Sequence, residues 1–433
     1  MKNPNRALIA VALTVLLAGC DNSAQLDPQK QMGANPELTQ AKNFFMPPMQ
    51  VPEGVPWKAG EMPKVANGLK IEKIAEGLMH PRQVYVLPNN DVLVAEANAP
   101  SGTKNQPKQL IMGLVQKSSG KGGTGGNRIT LLRNVNGKWE KHIFIENLHS
   151  PFGMQLIGNT LYVANADSLV KFPYQQGETE IRTPGVEVAD LPGGPINHHW
   201  TKSLLASPDG SKLYVGIGSN SNITENGIGA EYRRAAILEV DTASGASRIY
   251  ASGLRNPTGM QWEPQSGKLW AIVNERDEIG SDLVPDYFTS VQENGFYGWP
   301  YSYYGQHVDE RAQPQRPDLV QKAIKPDYAI SSHVAPLGLL FYTGDNMPQY
   351  RGGAFISEHG SWNRSPLNGY QVVWVKFENG QPTGLPQPVI TGFLSDDQKQ
   401  VHGLPVGLAM DKQGGVIVAD DAGNIVWRIS AVE

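Results

Sequence analysis

Apolar positions in this chain come in short runs bounded by turn formers: Val92–Glu96, Leu161–Asn165, Leu213–Ile217, Leu269–Val273, Ala354–Glu358 and Val416–Asp420. Runs of four or five β-branched and aromatic residues between Gly, Asn and Asp turns predict strands. Most of these runs are led by the same phrase, a polar residue followed by Pro-x-Gly, an apolar stretch and a turn. It reads Ser150-Pro151-Phe152-Gly153, Asn256-Pro257-Thr258-Gly259, Ala335-Pro336-Leu337-Gly338 and Leu404-Pro405-Val406-Gly407. A weaker copy stands at His80-Pro81-Arg82. A sixth unit keeps the layout without the proline, from His199-Trp200-Thr201-Lys202 to the turn Ser207-Pro208-Asp209-Gly210.

Repetition at this scale sets the architecture before any motif is read. Steps of about 50 to 80 residues suit four-stranded blades with variable loops, and six of them fill about 370 residues. Closing such blades into a ring removes exposed sheet edges. The expectation is an all-β, six-bladed β-propeller spanning residues 68–433.

The first residues depart from this pattern. Lys2 and Arg6 precede the apolar run Ala7 to Leu17, too short for a stable membrane span, and residues 1–19 read as a secretory signal. Leu17-Ala18-Gly19-Cys20 has the form of a bacterial lipobox, with Cys20 acylated; it is the only cysteine of the 433 residues. Residues 20–67, rich in Pro, Gln, Asn and Lys without an apolar period, read as a flexible linker from that anchor. The protein is thus expected as a periplasm-facing lipoprotein of a bacterial envelope, touching the membrane only through its N-terminal lipid and holding no disulfide. Its net charge is −4, and removing Lys2 and Arg6 makes it more negative still. With no basic run, nucleic-acid binding is disfavoured.

Residues just ahead of each phrase should face one another across the axial mouth of the ring. They include His80, His149, His198, His199, His333 and His402, six of the nine histidines, together with Arg255 and Asn256. One histidine alone is most simply a satisfied turn residue; a ring of them suggests general-base or metal chemistry. Arg255 can stabilise an oxyanion or hold a carboxylate, unless it pairs with an acid at a blade junction. Asn274-Glu275-Arg276-Asp277-Glu278 offers oxygen ligands of the kind calcium prefers, or is a solvated charged loop. His359-Gly360-Ser361-Trp362-Asn363-Arg364 could bind a sugar or stack on a cofactor, or could be a structural loop. The aromatic stretch Tyr297 to Gly305 reads as packing for a long excursion.

These phrases resemble the quinoprotein aldose and sorbosone dehydrogenases, propellers that use pyrroloquinoline quinone (PQQ) and calcium. The resemblance runs from about residue 70 to 430, on Ile196-Asn197-His198-His199-Trp200-Thr201-Lys202, Gly253-Leu254-Arg255-Asn256-Pro257, Val273 to Glu278, Tyr297-Gly298-Trp299-Pro300 and His359 to Arg364. It implies oxidation of an aldose or a sorbosone-like sugar aldehyde by hydride transfer to PQQ, with an external electron acceptor. His199 would be the general base and Arg255 would stabilise charge at the reacting carbonyl. Asn256, His198, Lys202, His359 and Arg364 would line the cofactor, and backbone oxygens at Asp277 and Glu278 would hold calcium. The sequence departs from soluble glucose dehydrogenases at Leu404 and Val406, where those have cofactor-binding arginines, and at Thr258, where they have glutamine; Arg364, Lys202 and Arg82 are the substitute cations. Two other readings stay open: a calcium-dependent lactonase or esterase propeller, and a non-catalytic propeller that binds a glycan or protein.

Overall fold

The computed structural model describes residues 23–43, 49–100 and 125–433. Six antiparallel sheets of four core strands each follow one another along the chain. Blade 1 runs Pro81–Val86, Val92–Glu96, Arg128–Val135, Lys138–Ile145; blade 2 runs Met154–Ile157, Thr160–Ala164, Ser168–Pro173, Val186–Asp190. Blade 3 runs Lys202–Ala206, Lys212–Ile217, Ala236–Asp241, Ser247–Ser252; blade 4 runs Pro257–Trp262, Leu269–Val273, Pro285–Ser290, Tyr328–Ser332. Blade 5 runs Pro336–Phe341, Ala354–Glu358, Gln371–Glu378, Gln381–Thr391. Blade 6 takes Pro405–Met410, Val416–Asp420 and Ile425–Ala431 from the end of the chain and its outer strand, Leu69–Ala75, from near the beginning. The first strand of every blade contacts the first strand of both neighbours, so the ring closes as the repeats predict.

The Pro-x-Gly phrase does three separate things at the axis. Proline opens the strand where no ladder N–H is required. The middle residue is skipped in the strand register, between Pro257 and Gly259, between Pro336 and Gly338, and likewise after Pro81 and Pro405. Such a bulge re-aims a side chain, and the middle residues Phe152, Leu337 and Val406 meet in one buried apolar cluster. The glycine admits the next blade: a Cβ on Gly338 would lie 2.1 Å from the carbonyl oxygen of Val406. Hydroxyls then stitch one inner strand to the next, Ser203 Oγ donating to the Pro257 carbonyl at 3.1 Å and Thr258 Oγ1 to the Pro336 carbonyl at 2.6 Å. Thr258, a departure from the resembled pattern, is thus an inter-blade fastener.

Apolar residues of each sheet interdigitate with those of the next, giving a core distributed between blades. Between the last two strands of blade 4 the chain makes the aromatic excursion expected at Tyr297 to Gly305. Trp299, Tyr301, Tyr303 and Tyr304 are all buried there.

The expected flexible linker is corrected by the structure. Met32–Gly33 adds a fifth strand to blade 4, Lys64–Val65 adds one to blade 5, and Glu53–Gly54 pairs in parallel with Gln400–Val401. Gln31 is fully buried, accepting from Ser332 Oγ at 2.7 Å. Trp57 donates to Asp420 at 2.9 Å and packs on Phe393, His402 and Trp427. Two-residue strands need no apolar period, so composition alone hid this belt. The signal segment and Cys20 lie outside the described residues.

Candidate active site

Loops that leave the second strand of each blade return to the end of the ring where the first strands begin. Functional side chains therefore come from two sources at one mouth, the residues ahead of each inner strand and the residues after each second strand. His199, ahead of blade 3, is held by the loop after its own second strand. Its Nδ1 lies 2.8 Å from the Ser219 carbonyl oxygen and 3.1 Å from Ser219 Oγ. A backbone carbonyl can only accept, so Nδ1 carries the hydrogen and Nε2 keeps the lone pair. Burial pushes the His199 pKa well below its ordinary value, with the Arg255 cation and His198 adding to the effect. The imidazole is therefore neutral and basic at Nε2 around pH 7. Gly218 allows the approach, because a Cβ there would sit 2.3 Å from both the His199 Cβ and Asn256 Oδ1. Asn256 is buried, and its Oδ1 has no hydrogen-bond partner among the described residues.

Arg255 is fixed along its whole guanidinium. Nε donates to the Asn222 carbonyl at 3.3 Å, one terminal nitrogen to the Glu275 carbonyl at 2.7 Å, and the other to Asn222 Oδ1 at 3.1 Å, with Asp277 at 3.7 Å. Asp277 Oδ1 in turn accepts from Asn363 at 2.7 Å and faces His333 Nδ1 at 3.4 Å. Burial works against its charge, yet His333 and Arg255 hold the Asp277 carboxyl well below the usual carboxylate range. The same contact raises His333 against its own burial.

A second carboxylate, Asp421, lies after the second strand of blade 6. It accepts from Arg82 at 2.7 Å and faces His359 Nε2 at 2.8 Å, with His80 Nε2 at 3.9 Å. Arg82 is the bulged middle residue of the first phrase, and its guanidinium lies over the Trp200 ring, 5.4 Å from the centroid. Trp200 is buried against Ala97 and Ala166 of blades 1 and 2, and so braces the backbone of its neighbour His199.

The expected site residues separate into three groups. His199, Arg255 and Asn256 come together, with His198 exposed beside them. His359 instead faces Asp421. Lys202 and Arg364 are corrections: both have no accessible surface. Lys202 Nζ donates to the Trp200 carbonyl at 3.0 Å, and Arg364 donates to the carbonyls of Ser281 and Pro366. One terminal nitrogen of Arg364 has only Asp282 at 3.8 Å, but cations with no accessible surface do not present charge to a ligand. Asp277 is also corrected as a metal ligand, because its carbonyl already accepts from Asn222 at 3.1 Å and Arg311 at 3.0 Å. Glu278 remains partly exposed. Among the described residues no three His, Cys, Asp or Glu side chains cluster as a metal site. The ring of histidines is looser than expected: His149 pairs with Asp167 in a half-exposed contact, and His402 packs on Trp57 of the N-terminal belt. Nor is the charged loop solvated, since Glu275 and Arg276 are buried and Arg276 reaches Asp309 and the carbonyls of Pro300 and Ser302. Asn222, Asp421 and Trp200 were missed as site residues. Trp200 had a signal, its adjacency to His199; Asn222 and Asp421 had only their position after a second strand.

Residues 162–361 match the family described as Glucose / Sorbosone dehydrogenase, and residues 305–431 match one described as TrAA12-like. An uncharacterized protein of Borreliella burgdorferi is 29% identical over 66% of this chain and 76% of its own. A pyrroloquinoline quinone-dependent sugar dehydrogenase of Hypocrea jecorina is 21% identical over 83% of this chain and 87% of its own. The solved holo form of the pyranose dehydrogenase PQQ domain from Coprinopsis cinerea superposes with a TM-score of 0.69 at 19% identity, covering 87% of this chain and 98% of that one, which shows a shared fold. The stretch that contains His199, Arg255, Asn256, Asp277 and His359 is thus the part of the chain that matches the Glucose / Sorbosone dehydrogenase description.

Proposed function

We propose that this protein is a quinoprotein sugar dehydrogenase that oxidises an aldose or a sorbosone-like sugar aldehyde and passes the electrons to an external acceptor. The observation that carries this reading is His199, neutral and with its tautomer set by Ser219, beside a clamped Arg255. The residues fit PQQ on one further count: Asn256 sets a buried amide beside His199 across Gly218, and an amide N–H is a donor that quinone and carboxylate oxygens accept. Asn256 and His198 would hold the cofactor beside His199. When bound, PQQ supplies the two-electron sink for hydride leaving the sugar carbon. His199 Nε2 takes the hydroxyl proton of that carbon, the anomeric hydroxyl of an aldose or a hydroxyl of a hydrated aldehyde, as a general base. Arg255, immobilised by Asn222 and Glu275, offers preorganised positive charge where the oxygen becomes carbonyl-like. Calcium belongs to the cofactor set of this reading, with Glu278 the remaining candidate ligand, and no step here depends on it.

Acylation of Cys20 would keep the enzyme at the periplasmic face of the envelope, and the Leu17 to Cys20 phrase supports that placement. The lactonase reading needs free acidic groups at the axis, whereas Asp277 and Asp421 are each engaged with an arginine and a histidine. Titrating the purified apoprotein with PQQ and calcium, and then assaying dye reduction over a panel of aldoses and sorbosone, tests the proposal. Saturable absorbance change and sugar-dependent bleaching are expected. A flat titration with no bleaching would end this reading.

A further inference from the structure

A planar ligand with three carboxylates needs cations, and the structure removes most of the candidates. Lys202 and Arg364 have no accessible surface. Arg255 is spent on Asn222, Glu275 and Asp277. Arg82 is differently placed. It occupies the middle position of the phrase that carries Phe152, Thr258, Leu337 and Val406 in the other copies, and is the only charged residue among them. In blades 4, 5 and 6 that position is neutral and serves the axis as fastener or apolar plug; in blade 1 it delivers a guanidinium.

One terminal nitrogen of this guanidinium is engaged by the protein. That nitrogen donates to Asp421, the flat face covers Trp200, and Nε is buried without a hydrogen-bond partner among the described residues. About a tenth of the side chain stays accessible, at 11%. Asp421 also faces His359 at 2.8 Å, so Arg82 does not carry the whole burden of balancing that carboxylate. A guanidinium anchored by one nitrogen, stacked on an indole and still partly accessible is suited to a charge-assisted hydrogen bond with a carboxylate.

Resting on the dehydrogenase reading, we propose that Arg82 is the cation that binds a carboxylate of the quinone cofactor, in place of the arginines that Leu404 and Val406 do not provide. Trp200 sets both Arg82 and the backbone of His199, so the carboxylate-binding cation and the general base are joined through one residue.

The test is equilibrium binding, read by tryptophan fluorescence quenching with no turnover involved. Wild type and Arg82→Gln are each titrated with PQQ and with its trimethyl ester, which keeps the ring system but not the carboxylate charges. Wild type should prefer PQQ over the ester. Arg82→Gln should weaken PQQ on the order of tenfold to a hundredfold and leave the ester nearly unchanged, as loss of one charge-assisted contact requires. Arg82→Lys, which keeps a charge for Asp421 but loses the fork, should fall between them and serves if the glutamine variant does not fold. An unchanged preference in a folded variant overturns the assignment while leaving the dehydrogenase reading intact. Absence of PQQ binding by wild type overturns both.

Discussion

Two carboxylates at the mouth invite comparison. Asp277 and Asp421 each lie in the loop after a second strand, each faces an arginine and at least one histidine, and each is held ionised against the effect of burial. Blade 5 serves both, sending His333 to Asp277 and His359 to Asp421. What differs is how far the arginine is consumed. Around Asp277 every nitrogen of Arg255 has a protein partner or a facing carboxylate. Around Asp421 the Nε of Arg82 has none among the described residues. The first arrangement freezes a charge in place beside the base; the second, whose arginine is the more accessible of the two, leaves part of the cation within reach of a ligand. One local design thus yields a catalytic frame on one side and a recruiting cation on the other.

The comparison breaks most visibly at the base itself. His199→Ala should lower kcat by about a thousandfold or more, while the PQQ dissociation constant stays within a few-fold; a parallel loss of cofactor binding would dissolve the division of labour. Arg255→Met should cost about a hundredfold in kcat and also move the pH profile. Arg255 helps depress the His199 pKa, so its removal lets that pKa rise, and the acidic limb of the rate profile should shift to higher pH.

A matched pair of substitutions sharpens the contrast. His333→Gln, acting through Asp277 on Arg255, should reduce kcat about tenfold with cofactor affinity unchanged. His359→Gln, acting through Asp421 on Arg82, should instead weaken PQQ about three- to tenfold and leave the acidic limb where it was. Interchanged outcomes would show that the two clusters are not specialised as described. The smallest effect is expected at His149, whose half-exposed pairing with Asp167 joins neither cluster. His149→Gln should change kcat and cofactor affinity by less than about twofold.

Much of this was legible in the chain. The Pro-x-Gly phrase predicted the blades because its three residues each meet a demand of the axis, and His199, Arg255 and Asn256 were found because they lead consecutive blades. Lys202 and Arg364 misled because sequence order says which loop a cation sits on but not whether neighbouring carbonyls enclose it. His402 misled for another reason: its partner Trp57 comes from the belt, 345 positions away in the chain. Asp421 and Asn222 escaped notice because their roles arise only where loops from different blades meet.

Blade 6 has a consequence for folding. Its outer strand, Leu69–Ala75, pairs with Ile425–Ala431, a segment from the far side of the whole ring in chain order. Every other blade takes its four core strands from one stretch of the chain and can form locally, whereas this one waits for a sequence-distant pairing whose loop-closure cost slows it. Deleting Ile425–Ala431 would leave two solitary strand edges at the seam, prone to proteolysis and intermolecular pairing. The seam strand is thus the latch on which closure of the ring depends.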